Sequence, residues 1–333
     1  TPNPKPQTPN PKPQTPMSGM SFGSLPEIED SPEKGPPRPQ HFKDQLEVTT
    51  LPLSLVRGQS VYLLPFPFEM DSHHQHRKPG TSYGPHQFHR AFRYCFLTST
   101  RKNDCKYLDL FNAIGTDPQT SELNAYTTKL KSIFSHAIPG DFTIIVGGGN
   151  NLLHTYVNIV TPPDFIIKVS PNLGRGSKSS HPYNHNYVTH LEESLRSRLI
   201  HFALDQDSLQ PSEINLVQSI DKAKMFTLST DPLADCSNLL PTLQGKSVCL
   251  LFDCEILPSS YFPGTSHSPV FGLQEYQVLE MLTTFAQADI NLSAVLFTNY
   301  NPAVEARRSG DFLIYAVFTL LKGLASKHKA PVN

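Results

Sequence analysis

Short apolar runs that stop at a glycine, asparagine, proline or acid alternate here with stretches of three- and four-residue periodicity. That alternation leaves few architectures open. Phe142–Val146, Phe165–Val169, Val248–Phe252 and Leu292–Phe297 are such runs, and Ser60–Phe66 precedes them. A strand with one face in water alternates apolar and polar residues; most of these do not, so each is expected to be buried on both faces. Helical patterns lie at 85–96, 119–137, 187–202, 212–222, 273–288 and 304–324, with a short strand at 225–228 and a short helix or turn at 232–240. The order predicts a three-layer α/β/α domain around a central, mostly parallel sheet. In such sheets ligands bind beyond the carboxyl ends of the strands. Gly147–Asn151 follows one strand, and Asp253-Cys254-Glu255 follows another.

Twelve of the 31 prolines lie in the first 45 residues, where residues 1–14 read Thr-Pro-Asn-Pro-Lys-Pro-Gln twice. Proline at such density excludes helix and sheet and favours an extended, solvated chain. We expect a Pro-rich disordered tail over 1–45, suited to docking on an assembly partner, and a single domain over 46–330. Lys+Arg 28 against Asp+Glu 29 gives a net charge of -1. That balance argues against a nucleic-acid binder, which needs a basic excess. There is no apolar run of membrane-spanning length, no secretory core and no Arg-rich presequence. The five cysteines form no Cys-x-x-Cys pair. Together these features predict an intracellular, cytoplasmic protein without membrane insertion.

Chemistry concentrates at Asp253 and Glu255. Along a strand the side-chain period is two, so both acids are expected on one side. Acids at the end of a buried strand need a proton, a cationic partner or a metal. Lys168, Arg175 and Arg307 are the candidate partners; a single Mg²⁺ or Ca²⁺ is the other reading. The histidine-bearing loop at 71–78 reads as solvated, and Gly147–Gly149 as a tight strand-to-helix turn rather than a phosphate cradle. Cys254, between two acids, reads as structural.

Four segments, in order, resemble the arginase/agmatinase (ureohydrolase) superfamily. Lys78-Pro-Gly-Thr-Ser-Tyr-Gly-Pro85 resembles its early Gly-Pro segment. Val146-Gly-Gly-Gly-Asn-Asn-Leu152 stands where the family has Gly-Gly-Asp-His-Ser. Leu251-Phe-Asp-Cys-Glu-Ile-Leu257, with Pro263-Gly-Thr265 and Phe271-Gly-Leu273, resembles its Asp-x-Asp run. Thr298-Asn-Tyr-Asn-Pro302 resembles its Glu-Val/Tyr-Asn-Pro.

The resemblance implies the arginase-like fold and a trimer or higher homo-oligomer. It also implies a chemistry in which two manganese ions share a hydroxide that attacks a guanidinium carbon. The six metal positions fall on Asn150, Ser170, Asn172, Gly174, Asp253 and Glu255, and only the last two carry a carboxylate. His181 matches a proton-shuttling histidine, and Asn299 stands where the family has a substrate-binding acid. The expectation is therefore a protein with no manganese pair and no other cofactor, catalytically inactive, serving as a scaffold or regulatory subunit. The alternatives are a divergent ureohydrolase-type hydrolase and a metal-independent amino-acid or polyamine binder using the same crevice.

Overall fold

The computed structural model describes residues 46–47, 60–68, 80–93, 106–109, 123–135, 141–176, 185–209, 211–217, 220–221, 224–228, 231–267 and 269–327. The expected tail at 1–45, the histidine loop at 71–78 and His181 lie outside the described residues.

Among the described residues nine strands build one sheet: β1 (Leu46–Glu47), β2 (Ser60–Phe66), β3 (Lys106–Asp109), β4 (Phe142–Gly147), β5 (Phe165–Val169), β6 (Leu199–Leu204), β7 (Met225–Thr227), β8 (Ser247–Asp253) and β9 (Asn291–Thr298). Their order across the sheet is β1-β3-β2-β4-β9-β8-β5-β6-β7. Every pairing is parallel. The helices are α1 (Gly84–Arg93), α2 (Leu123–Phe134), α3 (Asn151–Val157), α4 (Glu193–Arg196), α5 (Pro211–Val217), α6 (Pro232–Leu243), α7 (Glu275–Gln287) and α8 (Arg307–Lys327).

Two apolar layers flank the sheet, as a parallel sheet requires. Odd positions of β8, such as Cys249 and Leu251, join Ile166 of β5 in packing against Tyr126, Leu130, Leu152, Leu153 and Tyr187. The even positions Val248, Leu250 and Phe252 face Met281, Leu282 and Phe285 of α7 and Leu313, Val317 and Leu320 of α8. Helix α8 puts Phe312, Leu313, Ala316, Val317, Leu320 and Leu324 on its buried face, the spacing of an amphipathic helix. Its free N-terminal amides are met by Glu305, whose carboxylate accepts from the backbone N–H of Arg307 (2.7 Å), Arg308 (2.8 Å) and Ser309 (2.9 Å). Burial by itself would raise this carboxyl, but the hydrogen bonds from Ser309, Arg308 and Arg307 hold it below its ordinary value.

Three sequence expectations change. The helix expected at 187–202 is a 3-10 turn (Tyr187–His190), the single turn α4 and then strand β6. Leu199-Ile-His-Phe-Ala-Leu204 is buried on both faces, and an apolar run of that kind has no periodicity to separate strand from helix. The strand expected to carry both acids stops at Asp253; Glu255 lies in a 3-10 turn, Cys254–Ile256, so strand alternation does not relate the pair. The two outer strands β1 and β3 had no sequence signal. Among the described residues, no helix is long and apolar enough to cross a membrane.

Candidate functional site

The carboxyl ends of β4, β9, β8 and β5 lie side by side in the middle of the sheet. Each delivers one polar side chain to the same place. Asp253, the last residue of β8, is fully buried. Its Oδ2 accepts from Asn150 Nδ2 just past β4 (2.7 Å) and from Ser170 Oγ just past β5 (2.9 Å). Its Oδ1 accepts from Asn299 Nδ2 just past β9 (2.8 Å) and from the backbone N–H of Glu255 (3.0 Å). Thr298 Oγ1 donates to Asn150 Oδ1 and so orients that amide. Asn299 takes a left-handed backbone (φ 63) that asparagine tolerates better than most residues, and its own N–H donates to the Gly148 carbonyl (2.7 Å). A carboxylate receiving this many donors is held in one orientation with its charge spread over fixed dipoles.

Below this network sits a lysine. Lys168, on β5, is 1 % exposed. Its ammonium donates to the main-chain oxygen of Asn172 and lies 5.9 Å from the Tyr187 ring centroid. Burial pulls the amine down to about 8, against the attraction of Asp253 and Glu213. The group is thus still predominantly an ammonium at neutral pH. Beside it in register on β6 is His201, also 1 % exposed. Burial, then Lys168 and Arg175, push His201 far below the ordinary imidazole range, so it is neutral. Among the described residues neither ring nitrogen of His201 has a hydrogen-bond partner, nor does the Tyr187 hydroxyl.

The remaining sequence candidates separate. Asn172 and Glu255 reach the wall of a cavity of about 1170 Å³. Gly174 is at φ 65, and a Cβ there would come within 2.5 Å of the Tyr187 ring, so the ring fills the space a side chain would need. Of the three cations considered as partners, Lys168 is attracted by Asp253 but, among the described residues, forms no ion pair with it, and the Arg175 side chain is influenced instead by Arg196 and Glu193. Cys254 is fully buried and its thiol is pushed well up by burial and by both acids, as expected of a structural cysteine. The cavity wall also holds His185, Asp205, Asp207, Glu213 and His267, none of them singled out in the sequence. Asp205 follows β6, so reading that strand as helix hid the one available signal, an acid at the carboxyl end of a parallel strand.

Among the described residues, no group of three or more His, Cys, Asp or Glu side chains is arranged to hold a metal ion. The donor set around Asp253 does not fit a pair of divalent ions. Asn150, Ser170 and Asn299 turn hydrogens, not lone pairs, toward the place a cation would occupy, and Gly174 offers nothing. Hard dications need oxygen lone pairs, with carboxylates to balance charge.

No protein-family model matches the chain, and no curated protein sequence does. Solved structures do. Formiminoglutamase from Trypanosoma cruzi with Mn²⁺ superposes with a TM-score of 0.66 at 20% identity, over 81% of this chain and 94% of that one. Formimidoylglutamase from Bacillus subtilis gives 0.73 at 15% identity, over 90% and 96%. Proclavaminate amidino hydrolase from Streptomyces clavuligerus gives 0.62 at 14% identity, over 82% and 94%. An arginase superfamily protein from Trypanosoma cruzi gives 0.66 at 19% identity, over 81% and 94%. The chain has the arginase/ureohydrolase-like fold. One expectation is corrected at this point. The reading of the chain as a non-enzyme is overturned, because the solved structures that share its fold are hydrolases by name, and nothing in the geometry shows a loss of activity.

Proposed function

We propose that the chain is a divergent ureohydrolase-type hydrolase, taking a small cationic compound of the amidino, guanidino or formimino class into its crevice. There it cleaves a carbon–nitrogen bond with water. One observation carries this reading: the cavity beyond β5, β6 and β8 has Asp205, Asp207, Glu213 and Glu255 in its wall, with His185 and His267. A planar amidinium presents paired N–H groups that a carboxylate accepts two at a time. The names of the fold neighbours, two acting on a formimino compound and one on an amidino group, support the same substrate class.

The chemistry asked of the wall is general acid–base work. The oxygen of water bonds to the amidinium carbon, and its proton passes to Glu255 or His185. The carbon–nitrogen bond then breaks, and the departing nitrogen takes up that proton and leaves as ammonia or an amine. Glu255 is 1 % exposed yet lines the cavity, a position in which a carboxylate works largely out of bulk water.

The test is turnover by the full chain of formiminoglutamate, arginine and agmatine, following ammonia, formamide and urea. Thermal shift with each compound runs alongside. We expect turnover of one of them, with Glu255→Gln lowering kcat/KM by about a hundredfold or more. Absence of turnover together with absence of any thermal shift would overturn the proposal. So would turnover that Glu255→Gln leaves untouched, because the reaction would then lie outside this cavity.

A further inference from the structure

Taking the cavity as the amidino-compound site proposed above, we propose that it is built for a carboxylate-free amidine or guanidine that carries an apolar arm, with Val270 and Phe271 covering that arm. These two residues are adjacent in the chain, 81 % and 80 % exposed, and both belong to the cavity wall. Side chains that line a cavity and still face solvent to that extent stand at its mouth. Exposed apolar residues scattered singly are ordinary, but a neighbouring pair on the rim of a pocket is placed to shield the apolar part of a ligand. The pair is also tethered. On one side the Ser259 N–H donates to the Pro269 carbonyl (3.3 Å), and on the other the Leu273 N–H donates to the Ile256 carbonyl (3.0 Å). Ile256 follows Glu255 in the same 3-10 turn, so the apolar rim is tied to the turn that carries the acid.

Charge selects which compounds belong there. The carboxylates Asp205, Asp207, Glu213 and Glu255 outnumber the two imidazoles of the wall, and among the described residues no lysine or arginine lines it. A substrate carboxylate therefore meets groups of its own sign and no guanidinium or ammonium to pair with. Arginine and formiminoglutamate carry such a group; agmatine and simple alkylguanidines do not. Size points the same way. At about 1170 Å³ the cavity exceeds the range of about 300–1,000 Å³ typical of sites for drug-sized ligands. A free amino acid leaves most of that space to water. An amidinium beside the buried Glu213 and Glu255, with a hydrocarbon or aromatic arm reaching Val270 and Phe271, uses both ends.

Calorimetric binding to the full chain tests this apart from turnover, through two matched comparisons. Agmatine and arginine differ by a carboxylate; 4-phenylbutylguanidine and butylguanidine differ by a phenyl ring. We expect agmatine to bind about tenfold or more tighter than arginine, and the ring to add about tenfold, the factor for covering roughly half a phenylalanine-sized group. Substituting Val270→Ser and Phe271→Ser together should remove most of the gain from the ring. Tyr315→Ser, at an exposed aromatic on α8 outside the cavity wall, should keep it. Arginine binding as tightly as agmatine overturns the proposal. So does a ring that adds nothing, a gain that survives the double substitution, or absence of binding by all four compounds. A change in sedimentation of the double variant with the gain intact assigns the pair to contact with a second copy and overturns it too. Both residues lie at the surface, and the wild-type comparisons decide even without the variant. Binding in the expected order without hydrolysis refutes the hydrolase reading alone. Hydrolysis of arginine or formiminoglutamate in preference to agmatine refutes this inference alone.

Discussion

Gly174 offers the sharpest test of how the crevice floor is packed, because Gly245 supplies an internal control. Both have left-handed backbones, φ 65 and φ 68. A Cβ added at Gly245 meets nothing within 4 Å, so Gly245→Ala is charged only for the backbone conformation. That cost is about 1–2 kcal/mol, reduced by a few tenths because alanine also restricts the unfolded chain. At Gly174 the same Cβ would sit 2.5 Å from Tyr187 Cε1 and 3.0 Å from Cζ. The Tyr187 ring is itself fully buried and has little room to retreat. Overpacking of this kind adds roughly 1–3 kcal/mol. We therefore expect Gly174→Ala to cost about 2–5 kcal/mol against about 1 kcal/mol for Gly245→Ala, measured by urea unfolding with unchanged m-values. In a Tyr187→Leu background, which lacks the crowded ring atoms, the cost of Gly174→Ala should fall to that of Gly245→Ala. Equal costs at the two glycines in the wild type would refute the packing argument. So would a Gly174→Ala cost that the Tyr187→Leu background does not change. The same overlap explains why no side chain, a metal-binding carboxylate included, fits at this position without moving Tyr187.

Two further outcomes follow from the core and from the last helix. Leu250→Ala, in the middle of β8 with its side chain fully buried, should cost about 2–5 kcal/mol in the same assay, and a loss below about 1 kcal/mol would mean that this layer is loosely packed. Glu305→Ala should cost about 1 kcal/mol at neutral pH through the lost cap on α8. Because the folded-state carboxyl is held below its unfolded value, this contribution is present above about pH 4.3 and disappears as pH falls through the folded value. Wild-type and variant stabilities should thus converge in acid, and a gap that persists there would place the effect elsewhere.

Legibility in the sequence followed local chemistry. Runs such as Phe165–Val169 and Leu292–Phe297 are strands because they are short and apolar but for one residue each, and their boundaries were readable to within a residue or so. The sites after β4, β5, β8 and β9 were readable too, since Gly147–Asn151, Ser170, Asp253 and Asn299 interrupt apolar runs abruptly. What could not be read were relations between distant segments. His201 and Phe202 are as apolar in context as a helix core, so only pairing with β5 reveals them as strand. Lys168 looked like one candidate partner among three, and only the fold shows Tyr187 and the Asn172 carbonyl closing around it. The acids of the cavity wall at 205, 207 and 213 sit in ordinary polar loops and short helices, and only the fold turns them inward.

The position of β9 has a consequence for how the protein is made. It is the last of the described strands along the chain, yet it lies between β4 and β8 and bonds to both. Until residues 291–298 emerge from the ribosome, two blocks of sheet each expose a bare inner edge, rich in valine, leucine and isoleucine, where unpaired strands readily capture foreign ones. The join is also among the longest-range contacts in the molecule, which makes it slow to form. Synthesis thus passes through an interval in which most of the chain exists and its two halves cannot yet be sealed. Asn299, which follows the sealing strand directly, reaches Asp253 only when that interval ends.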